Sequence, residues 1–449
     1  MTALCLDGLR PALEGVIASV LATCDAAGTP NVSMISQVHY AGPGEVALSY
    51  QFFNKTRRNI METQRATVMV TDPETLAHYR LQLRYLDTRT EGPLFESMKA
   101  KLAGIASHHG VADVFRLLGS DVFKVEGIEM ASAPVAAPPS RPSLLAATRR
   151  VCAALAACDD LEGLFDALTG GLAADFGIGW SMVLIAEPAT GRLYTVATYG
   201  YPVTGVGAEV APGEGVIGVA ARENAPIRIG HMTREYRYGA VISDGARRSG
   251  LFSDAPRLIP FPGLSAPRSQ IALPIAECGE VVAVLFAESD EINRFGYEEE
   301  DALALVAAHL GARMSLLRQE ASDEASGIPA PEPAGQDEVA VRFFQADQSV
   351  FLGDDYLIKG VAGAILWRLL REYDARGRTE FTTRELRLDA SLRLPTAAEN
   401  LDARLILLRK RLDERCAWLK IEKAGRGRFR LLPSCRLILE EPGAASPPA

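Results

Sequence analysis

The stretch "FFNKTRRNI" (52–60) sets Lys55, Arg57 and Arg58 beside Thr56 and Asn59, directly after an apolar run. Cationic and hydroxyl donors gathered in one turn suit an oxyanion, and a helix starting there adds unpaired backbone N–H groups. A solvated basic first turn is the competing reading of the same residues. A second cationic concentration lies far downstream. "ARLILLRKRLDE" (403–414) carries Arg404, Arg409, Lys410 and Arg411, and "KAGRGRFR" (423–430) carries Arg426 and Arg428. This pattern suits a polyanion, unless the charges are the wet face of a helix whose Leu405, Leu408 and Leu412 pack inward. Residues 341–440 hold 20 Lys and Arg against 14 Asp and Glu, in a chain of net charge −9. A basic segment on an acidic body points to one module that meets a polyanion.

Other chemistry-bearing patterns are weaker. "PGEGVIG" matches a dinucleotide fingerprint through Gly213, Gly215 and Gly218. The apolar segment after it is too short for the crossover helix such a site needs, so the match is rejected. The seven cysteines are scattered without a C-x-x-C pair, which excludes a zinc frame and suggests reduced thiols. No apolar run approaches the ~20 residues of a membrane span. The N-terminus has no signal pattern, so a cytoplasmic protein is expected.

The elements that must position these residues fall into three modules. Two Ala/Pro/Ser-rich linkers, 131–143 and 321–338, separate them. The first module, 1–133, reads as short strands joined by Gly/Pro/Asp turns: "VIASVLATC", "NVSMISQVHY", "VALSYQFF", "ATVMVT", "YRLQLRYL" and "DVFKVEGIEM". In "YRLQLRYL", Arg80, Gln82 and Arg84 alternate with Leu81, Leu83 and Tyr85, so an antiparallel barrel is expected. The second module, 143–320, opens with two amphipathic helices and closes with a long one around a sheet, an α+β layer design. The third, 339–436, reads as leading strands, three helices and a closing hairpin. The fold class expected is multidomain: antiparallel β split barrel, α+β domain, then winged helix.

Three resemblances attach to these residues. "VSMISQVHY … LSYQFFNKTRRNI … ATVMVTDP" resembles the pyridoxamine-phosphate-oxidase-like split barrels, dimeric flavin-binding domains. The resemblance implies that Lys55, Thr56, Arg58 and Asn59 hold the phosphate of FMN. It places Ser33, Ile35, Gln37 and Arg84 along the flavin. True oxidases carry Ser-Arg-Lys where this chain has Asn54-Lys55-Thr56, so vitamin oxidation is not expected. Relatives also bind haem or a deazaflavin, which makes His39 a haem-ligand candidate.

"GEGVIGVAARENAPIRI … SQIALPIAECGEVVAVLFAES … FGYEEEDALALVAAHL" looks like a GAF domain, a dimeric ligand-binding or relay module. Its covering loop would be 230–268, where Arg234, Tyr236, Arg237 and Tyr238 could meet a small anionic or aromatic ligand. "NRFGYEEE" faintly resembles the cyclic-nucleotide signature of that family, through Asn293, Phe295, Glu299 and Glu300. The third module resembles the winged-helix output domain of response regulators. That implies DNA contacts from Asn400, Arg404, Arg409, Lys410 and Arg411 on a recognition helix, with Arg426 and Arg428 on a wing. Glu399 and Asp402 are acidic where a DNA surface usually is not. The reading that follows is a homodimeric transcription regulator with a flavin and GAF sensor, contacting DNA and no membrane. An FMN-dependent oxidoreductase regulated by the other modules is the alternative.

Overall fold

The computed structural model describes residues 4–14, 17–35, 37–51, 54–108, 117–137, 143–188, 190–230, 259–277, 279–320, 338–389, 392, 401–425 and 427–441. In the first module seven strands form one antiparallel sheet: β1 (Ser19–Cys24), β2 (Pro30–Ile35), β3 (Val38–Gly42), β4 (Glu45–Tyr50), β5 (Arg65–Thr71), β6 (His78–Arg89) and β7 (Gly119–Ser132). Their order is β2-β1-β5-β6-β7-β4-β3. Ile35 on one edge strand and Val38 on the opposite edge share a core with Leu21, Val68, Leu81 and Phe123. Both edges therefore curl around one core. The segment "NVSMISQVHY", expected as one strand, is two strands at opposite edges. β6 buries Leu81 and Leu83 and exposes Arg80, Gln82 and Arg84, the alternation its sequence requires. Two helices interrupt the sheet, α1 (Lys55–Thr63) and α2 (Pro93–His108).

The middle module is a six-stranded antiparallel sheet ordered β10-β9-β8-β13-β12-β11. Its strands are β8 (Trp180–Ala186), β9 (Leu193–Tyr199), β10 (Glu209–Val210), β11 (Ile227–Ile229), β12 (Ser269–Glu277) and β13 (Glu280–Ser289). Helices α3 (Leu144–Ala156), α4 (Leu161–Phe176) and α6 (Tyr297–Glu320) cover one face, where Val183, Ile185 and Leu285 point. The nine-residue α5 (Gly215–Glu223) covers the other face with Met182, Leu184 and Phe286. Ala100 of α2 enters that same cluster, so a helix of the first module closes over the second. Antiparallel strands around a two-turn α5 confirm why the glycine fingerprint carries no dinucleotide geometry.

The third module has a four-stranded sheet, β16 (Asp355–Ile358), β15 (Ser349–Leu352), β14 (Glu338–Phe344) and β20 (Arg436–Glu440). The last strand was not anticipated from sequence. It pairs parallel to β14, and Trp367 donates to Glu441 at 2.8 Å just beyond it. Helices α7 (Gly360–Arg376), α8 (Thr383–Leu388) and α9 (Leu401–Arg415) follow the first three strands. Thr382 caps α8 by accepting the Glu385 amide at 3.2 Å. The closing hairpin, β18 (Leu419–Gly425) and β19 (Arg428–Pro433), pairs with the short β17 (Glu380–Thr382). One apolar cluster runs from the α3/α4/α6 face of the middle module into this third core.

Candidate functional site

A cavity of about 300 Å³ opens where β2, β4 and the first turn of α1 meet, lined by Ser33, Ile35, Tyr50, Thr56, Arg57 and Asp121 among others. Asn54 caps α1, accepting the Arg57 amide at 3.0 Å, which fixes the helix start against the cavity. Thr56 is buried. Its hydroxyl donates to Ser33 at 3.0 Å and accepts from the Asn31 amide at 2.9 Å. Arg57 lies over the Tyr50 ring at 3.6 Å and grips Asp121 with Nη1 at 3.1 and 3.2 Å. Burial raises the Asp121 carboxyl above its ordinary range, against the opposing pull of the Thr88 hydroxyl and Arg57.

Of the expected flavin residues, Ser33, Ile35 and Thr56 line this cavity. Lys55 and Arg58 are exposed on the same turn. Asn59 is buried behind it and donates to Thr23 at 3.2 Å. Gln37 is 1 % exposed, with no partner among the described residues for either amide atom. Arg84 pairs with Glu126 at 2.7 Å on the sheet surface. Sequence reasoning counted Arg57 in the basic turn but not among the flavin residues, and it missed Asp121. The helical period held the signal: Thr56, Asn59 and Ile60 share the inward face, which turns Lys55 and Arg58 outward.

The lining suits an aromatic ring with polar edges. Leu21, Ile35, Leu48 and Ile60 supply an apolar floor, and the buried Ser49 hydroxyl has no partner among the described residues. At the anionic end Arg57 is already neutralised by Asp121. A phosphate there would rest on first-turn amides and on Lys55 and Arg58 swinging inward.

A second polar cluster joins the first two modules. Arg228 on β11 is 2 % exposed and donates to Glu14 at 2.6 Å and to Glu300 at 2.8 Å. The Tyr297 amide donates to Glu14 at 2.9 Å, and the Tyr297 hydroxyl accepts from the Tyr40 amide and from Lys101, each at 3.2 Å. Burial raises Glu14, but Arg228 and Lys101 outweigh it and hold the carboxyl below its usual range. Burial, reinforced by Arg228, pulls Lys101 down to about 8. His39 sits within this packing, 6.3 Å from the Tyr297 ring centroid, and is held neutral by burial and by the cations of Lys101 and Arg228. It does not line the cavity of the first module. The residues of "NRFGYEEE" serve structure: Phe295 is core, Glu299 accepts the Gly296 amide at 2.8 Å, and Glu300 meets Arg228. Arg234, Tyr236, Arg237 and Tyr238 lie outside the described residues, as do Asn400 and Arg426.

Arg404, Arg409, Lys410 and Arg411 of α9 face carboxylates or backbone carbonyls. Arg404 is paired with Glu187 in the β8–β9 turn and stacks 4.0 Å over Tyr194. Arg409 pairs with Glu162, and Lys410 reaches Asp166 at 3.4 Å, both on α4. Lys423 on the hairpin pairs with Asp160, the α4 cap. Arg411 turns inward to the Leu357 carbonyl at 3.2 Å and Glu414 at 3.0 Å. A cavity of about 120 Å³ lies along this contact, walled by Asp160, Glu162, Asp402, Arg409, Lys423 and Arg428. Burial raises the Asp402 carboxyl, against Arg387 at 3.4 Å. The face expected to meet DNA is turned to the middle module, whose Glu162, Asp166 and Glu187 meet its cations.

Residues 160–314 match the family model of the GAF domain, and the middle module is a GAF domain. Among solved structures, the GAF domain of an Acinetobacter phosphoenolpyruvate-protein phosphotransferase is 16% identical. It covers 40% of this chain and 97% of its own, with a TM-score of 0.31. Free methionine-R-sulfoxide reductase from Neisseria meningitidis, in complex with its substrate, is 18% identical over 40% of this chain and 96% of its own, TM-score 0.31. An FMN-binding protein from Syntrophomonas wolfei is 22% identical over 28% of this chain and 86% of its own, TM-score 0.24. A search of curated proteins finds no significant match. No described helix is long and apolar enough to cross a membrane.

Proposed function

We propose that this chain is a ligand- or redox-responsive transcription regulator. In this reading a split barrel of the pyridoxamine-phosphate-oxidase-like kind holds FMN in the Thr56–Arg57 cavity. The GAF domain senses and relays, and a winged helix acts on DNA as part of a homodimer. The observation that supports it is the position of the GAF domain. Its β11 and α6 are ion-paired to the first module through Arg228–Glu14 and Arg10–Asp301, and its α4 and β8–β9 turn to the basic helix α9. A relay must touch both its input and its output, since a signal shifts an equilibrium only through differential contacts.

The visible absorption spectrum of purified full-length protein, followed by FMN titration, tests the input. Duplex binding with the flavin oxidised and reduced tests the output. Bound FMN together with redox-dependent duplex affinity is the expected result. A protein that refuses FMN and every duplex, across a range of salt, would sink the reading.

The second reading, a flavin oxidoreductase, is favoured by one feature behind Asp121, which lines the cavity. Tyr85, Thr88 and Asp121 form a hydrogen-bond chain, with contacts of 2.7 and 2.6 Å, ending on a carboxyl of raised proton affinity. Turnover of a reduced nicotinamide that survives deletion of residues 339–449 would select this reading.

A further inference from the structure

We propose that the acidic face of the GAF domain is an internal stand-in for a nucleic-acid backbone, which keeps α9 and its hairpin closed until the domains part. The proposal rests on the DNA-binding reading above. Four carboxylates form this face: Asp160 and Glu162 at the start of α4, Asp166 one turn further on, and Glu187 in the β8–β9 turn. Glu162 and Asp166 are four residues apart and so lie on one side of the helix. Each carboxylate meets a different cation of the C-terminal module: Lys423, Arg409, Lys410 and Arg404 respectively. These are the charges a duplex would need, because phosphate contacts are made by Lys and Arg.

The contact differs from a scatter of surface pairs in two ways. Its centre is dry: the Arg404 side chain is 8 % exposed and sandwiched between Glu187 and Tyr194. Its rim is wetter, with Arg409 and Lys410 about equally open and Lys423 more open still. Apolar packing also holds it, since the loop at Gly207 lies against Leu407 and Ile259. Rim pairs between partly exposed ions are individually weak and screened by salt, which leaves the clamp reversible. A duplex and the GAF face cannot occupy the same four cations together. Any ligand that loosens the α4 contact therefore raises DNA affinity, and DNA loosens the contact in return.

The test uses the full chain carrying Asp160→Asn, Glu162→Gln, Asp166→Asn and Glu187→Gln together. A control with Asp87→Asn, Glu91→Gln, Glu126→Gln and Glu129→Gln removes equal charge from an exposed region of the first module. Hydrogen exchange over 401–415 and anisotropy of a fluorescent duplex are read for both and for the parent. The expected result is faster exchange and about tenfold tighter duplex binding in the first variant alone, a change worth about 1.4 kcal/mol. Adding Arg409→Ala and Lys410→Ala should abolish the gain. Equal duplex affinity in the parent, variant and control would overturn the clamp while leaving DNA binding intact. Faster exchange with no duplex binding in any protein would overturn the DNA reading, and with it the competition proposed here.

Discussion

Arg228 reaches 214 residues back along the chain, donating from Nη1 to Glu14 at 2.6 Å while its Nε holds Glu300 at 2.8 Å. One guanidinium thus ties the first module to both β11 and α6. Tyr297 lies beneath it, ring centroid 4.6 Å from the Arg228 Cζ, with its amide on the same Glu14. A buried ion needs its partners, and here they come from two domains, so the ion pair makes their union depend on geometry.

Arg228→Met removes the cation and leaves Glu14 with Lys101 and the Tyr297 amide. Stability of the joined unit should fall by about 3–5 kcal/mol, read by chemical denaturation of the full chain. The quadruple change Arg228→Met, Lys101→Met, Glu14→Gln and Glu300→Gln should recover most of that loss, because these four charges are removed together and none of them is left unpaired.

Acid should weaken the same union through His39. Its folded proton affinity is depressed by burial, then by Lys101 and Arg228, so only the unfolded chain takes up the proton just below the ordinary value of 6.5. Stability is therefore full above about pH 6.5 and declines as pH falls toward the depressed value, by up to about 1.4 kcal/mol per pH unit. Glu14, also depressed, adds a loss below the ordinary carboxylate range. His39→Leu should remove the first decline and leave the second, as followed by denaturant midpoints between pH 7 and 4.

If the first module holds FMN, Lys55→Ala with Arg58→Ala should weaken it about tenfold, since two charge-assisted contacts to a dianion are lost. Both side chains are exposed, so melting without FMN should not change. Thr56→Val instead breaks the Asn31–Thr56–Ser33 chain and should lower both affinity and stability, the latter by about 1 kcal/mol. Fluorescence quenching of FMN separates the two effects.

Gly207 has φ +91°, and a Cβ there would lie 2.6 Å from Ile259 and 3.2 Å from Leu407 of α9. Gly207→Ala should cost about 1–2 kcal/mol in backbone strain and push the loop from the helix. Faster hydrogen exchange across 401–415, with the first module unchanged, is the expected signature.

The α8 cap gives a local check on the C-terminal module. Thr382→Ala loses the bond to the Glu385 amide and should cost about 1 kcal/mol there. Thr382→Ser should restore it, as read by the thermal midpoint of that module.

Much of this was written along the chain. The alternation of "YRLQLRYL" is the burial pattern of β6, and the amphipathic periods gave α3, α4 and α9. Thr382 signalled its own helix start. The glycine fingerprint was dismissed on the length of the segment after it, and α5 is nine residues long. Local signals of this kind survive because helix and strand periods act within a few residues.

Two things were invisible. The break between Ile35 and Val38 sends two halves of one apolar run to opposite sheet edges, a matter of long-range pairing that no local pattern encodes. β20 escaped because its partner, β14, lies 98 residues earlier at the Glu338–Arg436 pair.

By itself the sequence determined which residues carry charge, where the periodic helices and several strands lie, and that a basic segment accompanies an acidic body. It could not decide where that charge is spent. Arg57 and Arg58 are neighbours, yet one is locked on Asp121 and the other open to water, because a helix turns successive side chains by about 100°. Arg404, Arg409 and Lys410 of α9 face GAF carboxylates rather than solvent because domain packing brings Glu187, Glu162 and Asp166 within reach. Coulomb attraction depends on distance in space, and only the tertiary structure sets that distance.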